Sequence, residues 1–296
     1  MSSMNNVKRR KGLNIARKEA ITGLLFILPW FIGVLLFVGI PLVRTIYFSF
    51  NNVRYSGELG YLYEWIGFEN YERILRVDVD FIYEVQNFVV RVFTFVPAII
   101  AISVFIAVLL NSKIKGIAIF RLIFFLPVIV FSGSLLTNLT NNQGFNLEVS
   151  GFAYQVIQTV VPNVIESAIL LLFRTVTEVL WYCGIPIIIF LAALQKVDHS
   201  IYEAAQIDGA SAWNIFWKIT LPVIFPLVGI VIVFIVVFMG NFDANPILAI
   251  IRDSRVNPAR REGYASALAI LYALLQTTLI VLLFKVFNRK EKVVKA

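Results

Sequence analysis

Very few side chains in this sequence have the types and spacing that catalysis needs. His199 is the only histidine and Cys183 the only cysteine, so no cluster of histidine, cysteine and carboxylate has the spacing of a metal site. Neither a Gly-x-Ser-x-Gly motif nor a Gly-x-x-x-x-Gly-Lys-Ser/Thr phosphate loop occurs. We therefore predict that the chain is not an enzyme, and that any ATP hydrolysis linked to it takes place on another polypeptide.

The most informative residues lie in a polar loop between two apolar segments. Its punctuating features are Glu203-Ala204-Ala205, Asp208-Gly209-Ala210 and Ile219-Thr220-Leu221-Pro222. Residues 202–207 favour helix, Gly209 allows the backbone to turn, and Ser211 can cap a second short helix. Phe216 and Trp217 follow, and exposed aromatic side chains on a polar loop favour a protein interface. The loop thus predicts two short helices that meet at a glycine and contact a partner protein.

A second group of chemically capable residues lies within or beside the apolar segments. Ionisable and amide groups are costly in hydrocarbon unless they face a partner or water, so they are candidates for lining a substrate path. The full set, with neighbouring aromatic and small residues, is Arg174, Glu178, Trp181, Tyr182, Gly184, Asn241, Asp243, Asn245 and Gln276. Arg174 and Glu178 share one helix face at i, i+4 spacing, and aromatic faces suit the CH groups of sugar rings. An interfacial salt bridge and an aromatic belt at the membrane surface are the open alternatives.

Composition indicates the elements that must position these residues. Of all residues, 59% are hydrophobic and only 15% are charged, and the mean hydropathy is +0.82, which is far above the range of soluble domains. A helix needs about 20 apolar residues to cross about 30 Å of hydrocarbon. Uncharged runs occur at 21–43, 92–112, 122–143, 179–195, 219–242 and 263–284, of which the fourth is short and is extended upstream. They predict six spans, at about 21–50, 88–112, 117–138, 166–195, 217–242 and 264–287, joined in part by the polar loop 196–220. Because lipid offers no hydrogen-bond partner to the backbone, the predicted fold class is an all-α membrane protein with six transmembrane helices.

The net charge of +8 is distributed as expected for a membrane protein rather than for a nucleic-acid-binding protein. Basic residues concentrate in the N-terminal segment 1–20 and in the tail 288–296, which predicts that both termini are cytoplasmic. The run after the basic start is too long for a secretory signal, so we expect the first span to be retained. Arg252, Arg255, Arg260 and Arg261 fall in a loop that this topology places outside. We interpret them as contacts for an external partner.

In its polar loop and in several other motifs, the chain resembles the transmembrane subunits of binding-protein-dependent ABC importers. The loop matches the pattern of Glu-Ala-Ala, three residues, Gly, nine residues and Ile-x-Leu-Pro that marks those subunits. Further similarities, which favour the maltose-type carbohydrate branch, are Leu28-Pro29, Gly67-Phe68-Glu69-Asn70-Tyr71, Phe120-Arg121, Phe124-Phe125-Leu126-Pro127, Asn241-Phe242-Asp243 and Tyr264-Ala265-Ser266-Ala267-Leu268. The resemblance covers nearly the whole chain. It departs at 138–166, where the usual Gly-Leu-Ile-Asn run is not evident.

The resemblance implies a type I importer fold in which the loop forms a cytoplasmic coupling helix. The residues it assigns to coupling with the ATPase are Glu203, Ala204, Ala205, Asp208, Gly209, Phe216 and Trp217. It implies a second homologous permease, two ATP-binding subunits that hold ATP and magnesium, and an extracellular solute-binding protein. The chain itself is expected to bind no cofactor or metal and no nucleic acid.

The solute expected from the resemblance is an oligosaccharide or a related sugar. Two other classes of solute and one other class of protein stay open as alternatives. One is a polyol or glycerophosphodiester, and another is an anionic sugar, which the four arginines between residues 252 and 261 would fit. The third is a channel or scaffold without ATP coupling. That class leaves the pattern of the polar loop unexplained.

Overall fold

The computed structural model describes residues 9–56, 60–111, 119, 163–242 and 245–288. The chain is mostly helical and contains one two-stranded sheet in the described part. In chain order its elements are α1 (Arg9–Val34), a π-helical turn (Leu35–Gly39), α2 (Ile40–Ser49), β1 (Asn51–Ser56), β2 (Gly60–Trp65), α3 (Glu69–Val77), α4 (Val79–Asn111), α5 (Asn163–Leu194), α6 (His199–Ile207), α7 (Ala212–Ile215), a second π-helical turn (Phe216–Thr220), α8 (Leu221–Gly240), α9 (Pro246–Val256) and α10 (Arg261–Asn288). These elements form two compact units. The first comprises Met1–Asp78 and Ile251–Leu271, and the second comprises Val79–Ile250 and Tyr272–Ala296.

Four stretches of the described chain are long and apolar enough to cross a membrane: Arg17–Ser49, Val79–Asn111, Ala212–Gly240 and Arg261–Phe287. A fifth forms if Glu178–Leu194 and His199–Ile207, which are bent by 69° relative to each other, count as one broken span. The chain is therefore a multi-pass membrane protein. The predicted third span, 117–138, lies outside the described residues, as do segments 1–8 and 289–296.

In the first unit, β1 and β2 pair antiparallel, which adds a small sheet to the predicted all-α fold. Asn51 pairs with Trp65 and Val53 with Tyr63. Strand β2 begins at Gly60, whose φ is +72°, and carries aromatic side chains with a period of two, which pack well on a pleated surface. The Phe48 ring lies 5.5 Å from the Tyr63 ring, so the end of α2 covers one face of the hairpin.

Helix α3 is held against the end of α2 by buried polar contacts. The sequence around Gly67 predicts a turn into a short helix, and this prediction is confirmed, since Gly67 has a φ of +62° and α3 starts at Glu69. The Asn70 side-chain amide donates hydrogen bonds to the carbonyl oxygens of Ser49 at 3.0 Å and Asn51 at 3.3 Å. These bonds satisfy carbonyls that the end of α2 leaves open.

A buried carboxylate ties residues 251–271 to the rest of the first unit. Asp78 lies 3.2 Å from the Arg260 guanidinium and accepts a 2.7 Å hydrogen bond from the Tyr264 hydroxyl. Arg73 donates to the Ala259 carbonyl at 3.0 Å and lies over the Tyr264 ring at 5.1 Å. A buried charge is tolerated only when it is paired and hydrogen-bonded, and Asp78 meets both conditions.

The core of the second unit is a set of packed apolar helices. Helix α5 packs on α4, and α8 packs against both. The largest fully buried side chains include Ile99 of α4, Phe190 of α5, and Ile232 and Ile235 of α8. These contacts between long apolar helices provide the frame that carries the polar loop of residues 196–220.

Candidate functional site

The polar loop folds as a helix, a glycine turn and a second short helix, as its sequence predicts. At the start of α6, the Asp198 carboxylate accepts a 3.0 Å hydrogen bond from the Ser200 amide. At its end, Gly209 has a φ of +77°, its amide donates to the Gln206 carbonyl, and the next amide, of Ala210, donates to Ala205. This is the Schellman arrangement, which needs a left-handed residue at the glycine position. The chain therefore turns sharply at Gly209.

The second short helix, α7, begins at a cap of its own. The Ser211 hydroxyl accepts a 3.3 Å hydrogen bond from the Asn214 amide. Helix α7 then continues through the π-helical turn into the membrane-length helix α8. A displacement of the loop would consequently be transmitted directly to α8.

The loop exposes four large apolar side chains together with acidic ones. Ile207 is 85% exposed, Trp213 68%, Trp217 48% and Ile201 47%. The two tryptophan rings lie 5.5 Å apart at an edge-to-face angle of 68°. Exposed apolar groups of this size on a polar element are typical of a protein interface.

The seven predicted coupling residues differ in their exposure. Glu203, Ala204, Asp208, Gly209 and Trp217 are exposed, whereas Ala205 and Phe216 are partly buried. Trp213 and Ile207 are more exposed than Phe216 but were not assigned to the coupling set. The i, i+4 spacing of Trp213 and Trp217 on one helix face was the signal that could have identified Trp213.

We predict that Asp198→Ala increases the rate of hydrogen exchange at residues 199–202, while Asp198→Asn leaves it nearly unchanged. Both the carboxylate and the amide oxygen can cap the start of α6, but alanine cannot. The hydrogen bond from Ser200 lowers the pKa of Asp198. The stabilisation is therefore present above the ordinary pKa of an aspartate and is lost as the pH falls through the lowered value. Equal exchange in both variants at neutral pH would contradict the capping role.

A second candidate site is a polar cluster among the membrane helices of the second unit. Glu178 of α5 forms a salt bridge with Arg91 of α4. The sequence prediction paired Glu178 with Arg174, whose side chain lies outside the described residues. Arg91 lies within the predicted second span, 88–112, but was not among the candidates, because the uncharged run used to identify that span begins at Val92. An arginine inside a membrane-length helix was the signal that could have identified it.

Tyr272 of α10 forms the centre of a buried hydrogen-bond network in the same unit. Its hydroxyl donates to the Gly240 carbonyl at 2.9 Å and accepts from the Asn245 amide at 2.6 Å. The Asn245 amide also donates to Gly240 at 2.8 Å, and Gln276 hydrogen-bonds to the tyrosine hydroxyl. The network joins the end of α8 to α10, and it includes two of the predicted substrate-path residues, Asn245 and Gln276.

The other substrate-path candidates differ in accessibility. Tyr182 is buried, and its ring packs edge-on against Phe238 at 5.7 Å and Phe242 at 6.3 Å. In this conformation a solute cannot reach the Tyr182 ring. The remaining described candidates are Trp181, which is partly exposed, Gly184, which is buried, and Asn241, which is exposed and caps α8 by donating to Val237 at 2.9 Å. Asp243 lies outside the described residues.

Comparisons with known proteins show that the chain is similar to permease proteins of transport systems. The chain is 29% identical over 301 residues to the probable ABC transporter permease protein YesP of Bacillus subtilis, covering 95% of each chain. It is 28% identical over 282 residues to the multiple sugar-binding transport system permease protein MsmF of Streptococcus mutans, covering 90% of this chain and 94% of that one. No family model matches the chain.

A solved structure has the same fold. It is that of a bacterial alginate ABC transporter in complex with an alginate pentasaccharide-bound periplasmic protein. The TM-score is 0.63 at 17% identity, and the alignment covers 94% of this chain and 96% of the other. The similarity to it therefore extends over nearly the whole length of both chains.

Proposed function

Because this chain is a permease subunit of an ABC importer, we propose that it forms half of an alternating-access pathway for an oligosaccharide or a related sugar. Such permeases are not enzymes, since ATP is hydrolysed in separate ATPase subunits. They work with a solute-binding protein, as in the alginate complex with its periplasmic protein. The multiple-sugar relative supports a carbohydrate as the solute.

The observation that carries the proposal is the geometry of the polar loop. Helix α6, the turn at Gly209 and helix α7 form a compact projection that is continuous with the membrane helix α8. Its exposed side chains are those of a protein interface, and its residues match the Glu-Ala-Ala pattern. We propose that this element is the coupling helix, that it docks on an ATPase subunit, and that Glu203 pairs there with a basic group.

We also propose an orientation of the chain in the membrane and a set of partner subunits. The basic residues at 1–20 and 288–296 favour a cytoplasmic position for both termini, with six spans in total. A second homologous permease would complete the pathway, and two ATPase subunits would hold ATP and magnesium. Polar residues of the second unit, among them Glu178 and Gln276, would line the path in some of its conformations.

The proposal predicts ATP-dependent uptake by the assembled transporter. Proteoliposomes containing this chain, the second permease and the ATPase subunits, with ATP on the ATPase side, should take up labelled oligosaccharide when the solute-binding protein is present. Vesicles that lack this chain should take up none. Uptake that persists without ATP would contradict the proposal and would favour a channel.

A further inference from the structure

The salt bridge between Arg91 and Glu178 joins two membrane helices, and its two side chains differ in exposure. The Glu178 side chain is only 13% exposed, whereas that of Arg91 is 41% exposed. Glu178 lies 16 residues before the end of α5 at Leu194, or about 24 Å at about 1.5 Å per residue. If that end of α5 is at the cytosolic surface, the pair lies near the outer side of the membrane.

The exposed part of the Arg91 guanidinium requires a polar environment. The Arg91 guanidinium lies 5.5 Å from the Phe95 ring. A charged side chain that is two-fifths exposed is costly against acyl chains, so the open side of Arg91 is expected to face water or the partner permease.

We propose that Arg91 contacts the transported solute, and that Glu178 neutralises its charge so that the pathway favours neutral over anionic sugars. This inference rests on the proposed function. A guanidinium has five N–H donors, and a carboxylate can take two of them. The others are available to sugar hydroxyls. Because the pair has no net charge, it offers hydrogen bonds to a sugar without attracting an anion.

Three of the four arginines between residues 252 and 261 have partners within the first unit. Arg255 lies 3.0 Å from Glu262, and Arg260 lies 3.2 Å from Asp78. Arg261 donates to the Asn52 side-chain oxygen at 3.2 Å. Two of these cations are therefore neutralised by carboxylates and the third is held by an amide, all within the first unit. This weakens the interpretation that the loop recruits an anionic sugar or an acidic partner.

The experiment compares uptake of galactotriose with uptake of trigalacturonate of the same linkage, which differs in the oxidation of each hydroxymethyl group to a carboxylate. Wild type and Glu178→Gln are assayed in the same proteoliposomes with the same binding protein. For each protein, the rate of trigalacturonate uptake is divided by the rate of galactotriose uptake. The readout is this ratio in the variant divided by the same ratio in wild type. Binding-protein preference cancels in this quotient. We expect Glu178→Gln to raise the anionic-to-neutral ratio about tenfold, through a lower KM for trigalacturonate, because it leaves the guanidinium charge uncompensated.

Two further variants separate this role from a structural one. Arg91→Gln combined with Glu178→Gln removes both charges, so it should return the ratio to the wild-type value while lowering uptake of both probes. The control Glu84→Gln removes a carboxylate from the same helix as Arg91 without touching the pair, and it should leave the ratio unchanged. Elution of each complex at the wild-type volume in size-exclusion chromatography verifies folding.

The outcomes distinguish this inference from the proposed function. If wild type takes up neither probe nor any other oligosaccharide in an ATP-dependent manner, the proposed function itself is wrong. If uptake is ATP-dependent but Glu178→Gln leaves the ratio unchanged, or raises it no more than Glu84→Gln does, only the role of the pair is overturned.

Discussion

Substitution of Glu203 by alanine is expected to lower ATP-dependent uptake at least about tenfold and to leave the fold intact. Truncating one partner of an interfacial charge pair typically costs 2–5 kcal/mol, and each 1.4 kcal/mol is a factor of about ten. Glu203 is exposed on α6, so its loss should change stability by less than about 0.5 kcal/mol. The measurements are sugar uptake by the reconstituted transporter and retention of the ATPase subunit on an affinity-tagged permease.

The matched control for this substitution is Gln206→Ala, which truncates another exposed polar side chain of the same short helix. It should retain most of the uptake. Equal losses in the two variants would indicate that α6 tolerates no truncation at all. Unchanged uptake in Glu203→Ala would exclude a coupling role for this carboxylate.

Substitution of Gly263 by alanine is expected to destabilise the first unit by about 2–3 kcal/mol. Helix propensity alone predicts the opposite, since alanine is favoured over glycine by about 0.5–1 kcal/mol inside a helix. Packing should prevail because the added Cβ would collide with the Asn51 carbonyl oxygen and lie 3.1 Å from that of Phe48. Both obstacles are backbone atoms, which cannot move aside without shifting the hairpin or α2.

This expectation is tested by thermal unfolding in detergent together with hydrogen exchange across residues 48–78. Gly263→Ala should lower the unfolding midpoint and accelerate exchange in that segment. The control is Gly23→Ala in α1, where nothing lies within 4 Å of the added Cβ. That variant should be neutral or slightly stabilised. A Gly263→Ala protein as stable as wild type would show that the helix start is not packed against Asn51.

The membrane spans, the helix cap at Ser211 and the turn at Gly209 could be predicted because each depends on residues close together in the sequence. Long apolar stretches could be identified as spans because the bilayer requires helices of that length. Ser211 and Gly209 were identified because capping and left-handed turns depend on adjacent residues alone.

Features that depend on distant residues were not predicted. The pairing of strands 51–56 and 60–65 was not predicted, although Tyr61, Tyr63 and Trp65 alternate as strand residues do. Glu178 was assigned a partner four residues away on its own helix, whereas the observed contact is with Arg91 on another helix. The arginines at 255, 260 and 261 were taken as contacts for other molecules. The structure gives them partners within the chain, which are Glu262 for Arg255, Asp78 for Arg260 and Asn52 for Arg261.

The most direct test of the account is ATP hydrolysis by the purified, reconstituted transporter, measured with and without sugar-loaded solute-binding protein. We predict that the loaded binding protein stimulates hydrolysis in the wild-type complex, and that Glu203→Ala abolishes the stimulation while the ATPase subunits keep their basal activity. If no ATPase copurifies with this chain, or if hydrolysis is indifferent to both the binding protein and Glu203, the chain does not couple ATP hydrolysis to import through residues 196–220.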